Sequence, residues 1–176
     1  MVSEAQVSVG ILLGSANDWL KVQGVAEVLD QFGVDYEVSV MSAHRTPADV
    51  AEYASRAADR GLQVLIAAAG GAAHLAGVLA AHSILPVIGI PVATEVAGGL
   101  DSLLSMVQMP GDVPVAVVGT NSGGPRNAGL LAVQILALSR PDLREKLLRF
   151  KHQLAEKVRS AHASLQAQLR QQKQTP

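Results

Sequence analysis

The segment Ser42-Ala43-His44-Arg45-Thr46-Pro47 joins a stretch with strand character to a stretch with helix character, and the rest of the chain is organised around it. Residues 35–40 alternate and are rich in β-branched side chains, whereas the apolar residues after the segment recur at the spacing of one helical face. Thr46 is a good N-cap and Pro47 suits the first helical position. The sequence therefore predicts a loop that leaves the carboxyl end of a strand and enters a helix.

His44 and Arg45 are placed by this prediction at a helix N-terminus. Unpaired N–H groups and the helix dipole attract an anion there, and the planar guanidinium of Arg45 suits phosphate or carboxylate. Ser42 adds a hydroxyl group. The same residues taken alone also describe a solvated arginine beside a hydrogen-bonded loop histidine, because a single His-Arg pair is a weak signal.

Five apolar segments alternate with helical segments along the chain, which predicts a parallel sheet covered on both faces. The expected strands are residues 7–13, 35–40, 64–69, 86–90 and 113–118. We expect an α/β fold, a flavodoxin-like three-layer α/β/α sandwich with a central parallel sheet and a long C-terminal helix. Ligands of such sheets bind outside the carboxyl ends of the strands. The loops that carry Ser15, Asp18, His44, Arg45 and His74 are therefore expected to converge on one site.

Composition excludes several classes of protein. The chain has 176 residues, no cysteine, 3% aromatic residues and a net charge of -1, which argues against disulfides, thiolate metal sites, nucleic acid partners and anionic membranes. The near-continuous apolar run of residues 64–93 resembles a membrane span by hydropathy, but its glycine, histidine and proline residues fit strand, turn, helix and strand better. Residues 1–6 lack the features of a secretory signal, so we expect a cytoplasmic protein.

Residues 141–176 differ in character from residues 1–140, which we interpret as the α/β nucleotide-binding catalytic region. The apolar residues of this last segment form one narrow stripe on a long helix: Leu143, Leu147, Phe150, Leu154, Val158, Ala161 and Leu165. So narrow a stripe is typical of a helix packed on a partner helix, and charged residues make up only 16% of the chain. We expect this helix to be part of the same domain and to pack at subunit interfaces of a homo-oligomer. The alternative is a helix lying on its own subunit.

Two glycine motifs lie where predicted strands end. Gly14-Ser15, followed by Asp18, can cradle a phosphate and a sugar hydroxyl, although Asn17 or Asp18 can equally serve as a helix cap. Gly70-Gly71 permits close approach of a ligand to the backbone, or simply a tight turn.

Two other features are weaker. His44, His74 and His82 are thin grounds for a zinc site, since no acidic or thiolate partner is nearby in the sequence. The glycine-rich segment 119–127 fits either a lid over the site or an ordinary connection.

Taken together these motifs resemble the class I N5-carboxyaminoimidazole ribonucleotide mutases of purine biosynthesis. The matching segments run in the family's order: Gly14-Ser15 with Asp18-Trp19, Ser42 to Pro47, Gly70-Gly71-Ala72-Ala73-His74-Leu75, Asp101-Ser102-Leu103 with Val107-Gln108-Met109-Pro110, and Asn127-Ala128. The resemblance implies an isomerase that moves a carboxylate from the exocyclic nitrogen to ring carbon four through carbon dioxide. It also implies an octamer that uses no metal or organic cofactor and whose substrate is made by a separate ATP-dependent synthetase.

The resemblance also implies roles for individual residues. It makes His44 the general acid and base, and it makes Ser15, Asp18, Ser42 and Arg45 ligands of the ribonucleotide; we add Gly70, Gly71 and His74 as substrate-binding residues. Arg45 favours the mutase over the related direct carboxylases, which typically carry lysine there. Direct carboxylation of aminoimidazole ribonucleotide and a non-catalytic nucleotide-binding module are the alternatives.

Three positions depart from the family pattern. Asn17 stands where the family usually has serine, Ala76 stands where it usually has proline, and residues 121–124 replace a common Gly-Lys-Ala-Gly segment. Asn17 can still hydrogen-bond, so we expect substrate binding to survive.

Overall fold

The computed structural model describes residues 7–174, which contain an open sheet of five parallel strands. The strands are β1 (Val9–Leu13), β2 (Tyr36–Val40), β3 (Val64–Ala69), β4 (Val87–Pro91) and β5 (Ala116–Val117). They lie in the order β2-β1-β3-β4-β5. The predicted flavodoxin-like sandwich is confirmed.

Helices follow each strand. They are a 3-10 helix (Ala16–Asp18), α1 (Trp19–Val22), α2 (Gly24–Phe32), α3 (Pro47–Arg56), α4 (Leu75–His82), α5 (Leu100–Val107), α6 (Gly124–Leu136) and α7 (Pro141–Gln174). Helix α2 packs on α6 and α3 packs on α4, with helices on both faces of the sheet. The segment after β1 is therefore divided into three helical pieces, and Gly33, in the left-handed conformation, is the C-cap of α2.

Burial separates the central strands from the edge strands. Every residue of β1, β3 and β4 is buried, because helices cover both faces of a parallel sheet. The edge strand β2 is only partly buried, with Val38 41% and Val40 55% exposed. Strand β5 is shorter than the predicted residues 113–118, and its two residues pair with β4. Pro114 has no N–H to donate to a strand ladder, which accounts for the late start of β5.

Tyr53 on α3 packs over Gly10 in β1. The tyrosine is 8% exposed, and its hydroxyl donates a hydrogen bond of 2.6 Å to Glu37 Oε1 on β2. The Arg60 guanidinium pairs with the same carboxylate and lies 5.1 Å from the centre of the Tyr53 ring. Burial and the Glu37 hydrogen bond raise the pKa of Tyr53 well above its usual range, so its hydroxyl stays protonated and donates. The strand needs glycine at position 10 because the tyrosine occupies the space of a side chain.

The chain divides into two compact units at the Leu136–Ala137 boundary. The first holds the sheet, and the second is dominated by the long helix α7. Leu154, Val158 and Leu165 of the predicted stripe are 44%, 70% and 51% exposed on this helix. Between residues 7 and 174, the chain forms no helix of the length and apolar character needed to cross a bilayer.

Candidate active site

A cavity of about 290 Å³ lies at the carboxyl ends of the central strands, where the strand order places the chain crossover. Seven of the eight predicted site residues line it: Ser15, Asp18, Ser42, His44, Arg45, Gly70 and His74. Gly71, the eighth, does not line the cavity. The loops after β1, β2 and β3 converge as the sequence indicated, because parallel strands end at the same edge of the sheet.

The loop before α3 is fixed by Ser42 and Thr46. The Thr46 hydroxyl accepts a hydrogen bond of 3.0 Å from Ser42 N–H and donates one of 3.3 Å to Ser42 O. Thr46 is the N-cap of α3, as predicted, but its side chain makes no capping hydrogen bond to the helix. The hydroxyl is used instead to close the loop that carries the histidine.

Arg45 connects two of the converging loops. Its Nη2 donates to Gly14 O at 3.3 Å, and its Nε donates to Ser42 Oγ at 3.4 Å. Within residues 7–172, Arg45 forms no ion pair with a carboxylate. A guanidinium has five N–H donors, so donors remain for an anionic ligand in the cavity.

His44 and His74 form the pair of titratable rings in the site. His44 Nε2 lies 2.7 Å from His74 Nδ1, and the ring planes are inclined at 76°. In such a bond one nitrogen donates and the other accepts, so the two rings cannot both be cationic while the bond is kept. The pair can therefore hold a proton at one end of the cavity and pass it to a bound molecule.

Ser15 and Asp18, which follow β1, also line the cavity. Ser15 Oγ accepts a hydrogen bond of 3.3 Å from Asn17 N–H and caps the 3-10 helix. Asp18, one of the two expected caps, occupies the N-cap position of α1 but makes no side-chain capping hydrogen bond. Burial raises the pKa of Asp18, an effect that the charge of Lys21 partly offsets. A partly desolvated carboxylate is a strong acceptor for hydroxyl groups of a ligand.

Gly70 and Gly71 differ in what they do. Gly70 lies close to the backbone and side chain of the segment after β4, and a Cβ added there would lie 3.4 Å from Thr94 Cγ2. Gly71 has a φ of +68°, which favours glycine, and so forms the tight turn given as the alternative interpretation of this motif.

Sequence reasoning missed several residues of the cavity. Lys21, Ala93 and Thr94 also line it. Lys21 lies three positions, about one helical turn, after Asp18, and this spacing could have placed it beside Asp18 from the sequence. Thr94 follows β4, and no motif marked it.

The three departures from the family pattern lie in different places. Asn17 is exposed on the 3-10 helix, while Ala76 is fully buried in the core and does not line the cavity. Residues 119–122 line a second cavity of about 180 Å³, which shares Lys21, Val92 and Ala93 with the first. The described residues contain no cluster of three His, Cys, Asp or Glu side chains placed to hold a metal ion, and His82 lies exposed at the end of α4.

Comparison with known proteins agrees with this geometry. The sequence profile of the AIR carboxylase family matches residues 8–157. An N5-carboxyaminoimidazole ribonucleotide mutase of Mycobacterium leprae is 53% identical over 161 residues, which are 92% of this chain and 93% of that protein. The mutase of Bacillus subtilis is 53% identical over 142 residues, 81% of this chain and 88% of that protein.

Solved structures agree as well. The crystal structure of Treponema denticola PurE is 28% identical and superposes with a TM-score of 0.81, covering 89% of this chain and 97% of that chain. The resemblance drawn from the sequence motifs is confirmed, and the chain belongs to the AIR carboxylase family.

Proposed function

We propose that this protein converts N5-carboxyaminoimidazole ribonucleotide to 4-carboxy-5-aminoimidazole ribonucleotide in purine biosynthesis. The observation that carries the proposal is the His44–His74 pair, in which His44 Nε2 lies 2.7 Å from His74 Nδ1, in a cavity that Arg45 and Asp18 also line. The enzyme is an isomerase of the same class as relatives that share about half of its residues.

The anionic part of the substrate is assigned to the loops after β1 and β2. Arg45, Ser42 and Ser15 offer donors to the phosphate. Asp18, partly desolvated, accepts from the ribose hydroxyls. These contacts hold the imidazole ring against the histidine pair, and this positioning lowers the barrier by replacing a bimolecular encounter with an intramolecular one.

His44 is the proton-transfer group in this mechanism. The nitrogen-bound carboxylate leaves as carbon dioxide while His44 protonates that nitrogen. The freed aminoimidazole is electron-rich at carbon four, attacks the carbon dioxide there, and His44 removes the ring proton. One proton is taken up and one is released, so no oxidant, reductant or metal is needed to balance the reaction. His74 supports the ring of His44 through their hydrogen bond.

Carbon dioxide has to stay beside the ring between the two steps. The end of β3 and the segment after β4 give the cavity small apolar walls: Ala69, Ala73 and Val92 are at most 6% exposed. Such walls offer no water to capture the gas, which favours recapture over escape.

The assembly and its setting are part of the proposal. We assign residues 1–140 to catalysis and residues 141–176, within the same domain, to subunit contacts. The exposed Leu154 and Val158 of α7 support a homo-oligomer, and the family resemblance makes it an octamer. The protein acts in the cytoplasm without metal or organic cofactor, downstream of the separate ATP-dependent synthetase that makes its substrate.

The test is turnover of freshly prepared N-carboxylated substrate by wild type, His44→Asn and His82→Asn, followed by ultraviolet absorbance. Loss of a general acid and base lowers the rate by about 100-fold or more, so His44→Asn is expected to lose activity while still binding the product nucleotide in calorimetry. His82→Asn is the matched control, because His82 is exposed and outside the cavity.

A parallel reaction supplies aminoimidazole ribonucleotide and bicarbonate instead. Rapid turnover of that mixture would show that the protein is a direct carboxylase and not a mutase. Near-wild-type activity of His44→Asn would refute the role given to His44. Nucleotide binding without turnover of either substrate would favour the third interpretation, a non-catalytic nucleotide-binding module.

A further inference from the structure

The peptide groups of Gly71 lie within hydrogen-bond distance of two hydroxyls of α5. Gly71 N–H donates to Ser102 Oγ at 2.9 Å. Ser105 Oγ has two acceptors for its single proton, Asp101 O at 2.8 Å in its own helix and Gly71 O at 3.2 Å. Ser102 is fully buried, and its own hydroxyl proton goes to Val92 O at 2.8 Å. A hydroxyl has one proton to donate, and Val92 O is nearer to Ser102 Oγ than the second acceptor, Asp101 Oδ1 at 3.4 Å, so the hydroxyl is oriented toward Val92.

These bonds join two walls of the cavity. The turn after β3 contributes Gly70 and Ala73, and the segment after β4 contributes Val92 and Thr94. Ser102 bridges the two segments through their backbones.

Asp101 extends the bridge to Thr94. Its Oδ1 accepts from Thr94 Oγ1 at 2.6 Å and from Ser102 N–H at 2.8 Å. The Thr94 hydroxyl and then the Ser102 backbone hold the pKa of Asp101 below its usual range, so the carboxylate is charged and accepts at neutral pH. The N-terminus of α5 therefore holds both segments that form the apolar end of the cavity.

The turn after β3 needs such support. Gly71 has a φ of +68° and Ala73 a φ of +35°, and an alanine rarely adopts the left-handed region. A Cβ on Gly71 would meet no atom within 4 Å, so the space on that side of the residue is open. The Ser102 hydroxyl holds the N–H of Gly71, and the Ser105 hydroxyl shares its proton between Gly71 O and Asp101 O.

We propose that Ser102 and Ser105 are positioning residues that keep carbon dioxide in the cavity between its release and its recapture. They act through the Gly70–Ala73 turn, which they hold as a fixed wall beside the histidine pair. The inference rests on the proposed function. It assigns to α5 a part of the reaction, retention of the transferred carbon, that is distinct from proton transfer by His44.

The test follows the transferred carbon by isotope. Substrate labelled with carbon-13 in its nitrogen-bound carboxylate is mixed with enzyme, excess unlabelled bicarbonate and carbonic anhydrase, and the label in the carboxylated product is measured by mass spectrometry at low conversion. Wild type, Ser102→Ala, Ser105→Ala and the control Ser55→Ala are compared. Ser55 lies exposed on α3, where its hydroxyl donates to Glu52 O at 3.0 Å. The labelled fraction is counted per product molecule, so unfolded enzyme does not change it.

We expect wild type and Ser55→Ala to retain the label. In Ser102→Ala the unlabelled fraction rises about tenfold, because losing one buried hydrogen bond shifts the balance between two conformations by about that factor. Ser105→Ala moves the same way by a smaller factor, because its proton is shared with Asp101 O, and it decides the question if Ser102→Ala does not fold. Slower turnover with full retention of label in both variants would overturn the inference alone. A wild type that makes no product from the N-carboxylated substrate would overturn the proposed function and this inference with it.

Discussion

Replacing Gly10 by alanine in β1 tests how the sheet and α3 are fitted together. A Cβ at this position would lie 2.3 Å from the Tyr53 hydroxyl oxygen and 3.1 Å from Leu65 Cδ2. The first distance is shorter than any real contact, so the tyrosine has to move. Its hydroxyl then loses the 2.6 Å hydrogen bond to Glu37, and the Glu37 carboxylate keeps only its ion pair with Arg60 from this group of contacts.

The cost follows from those contacts. Loss of a hydrogen bond to a charged group destabilises a protein by about 1.5–3 kcal/mol, and overpacking of a core adds about 1–3 kcal/mol. The lower entropy of an unfolded chain with alanine offsets about 0.4–1 kcal/mol. We expect Gly10→Ala to lower the free energy of unfolding by about 2–4 kcal/mol.

Urea unfolding at one fixed protein concentration measures this in a double-mutant cycle with Tyr53→Phe. Phenylalanine removes the hydroxyl and leaves the ring carbon Cζ, which a Cβ at position 10 would meet at 3.3 Å. The double variant is therefore expected to be more stable than the sum of the single effects predicts, by about 1 kcal/mol or more. Gly111→Ala is the control, because a Cβ there meets nothing within 4 Å. Strictly additive effects would refute the clash with the hydroxyl as the cause.

Three further outcomes are expected. Burial raises the pKa of Asp18, so the carboxyl group loses its proton at a lower pH in the unfolded chain than in the folded one. Asp18→Asn is therefore expected to raise the melting temperature at pH 7, and the difference should disappear below about pH 4, where both side chains are neutral. Nucleotide binding of this variant in calorimetry is expected to weaken. Thr94 lowers the pKa of Asp101, so the change in melting temperature has the opposite sign: Asp101→Asn is expected to lower it at pH 7. The difference from wild type should shrink as acid protonates the wild-type carboxylate. Equal melting temperatures at neutral pH would contradict this. Glutamate at both Leu154 and Val158 is expected to dissociate the oligomer in light scattering, and Gln153→Glu on the same helix is expected to leave it intact.

The chemistry of the site was easier to predict than its geometry. The motif residues after β1, β2 and β3 could be assigned to one site because parallel strands direct their carboxyl ends to the same edge. Gly71 was grouped with them because it follows Gly70, yet it lies outside the cavity and is held by α5. Neighbours in a sequence take different environments wherever the chain turns, and a positive φ at Gly71 is such a turn.

Local errors have a similar origin. Thr46 was a reasonable helix cap by residue type, but its hydroxyl closes the preceding loop on Ser42 instead. Strand β5 was predicted longer than it is, because apolar β-branched residues signal a strand without showing which N–H groups have a partner. In both cases the outcome depends on which backbone groups have a hydrogen-bond partner, and residue preferences do not show this.

The sequence by itself determined the alternation of strands and helices, the buried strand β3 at residues 64–69, and the chemical groups available at the strand ends. Those features depend on periodicity and on preferences of residues close together in the chain. The tertiary structure decided that His44 meets His74, thirty positions later, and that Ser102 holds Gly71 from thirty-one positions away. Such contacts are fixed by how helices pack on the sheet and by which buried polar groups can satisfy one another. Local sequence patterns therefore do not show which residues that are far apart in the chain will come into contact.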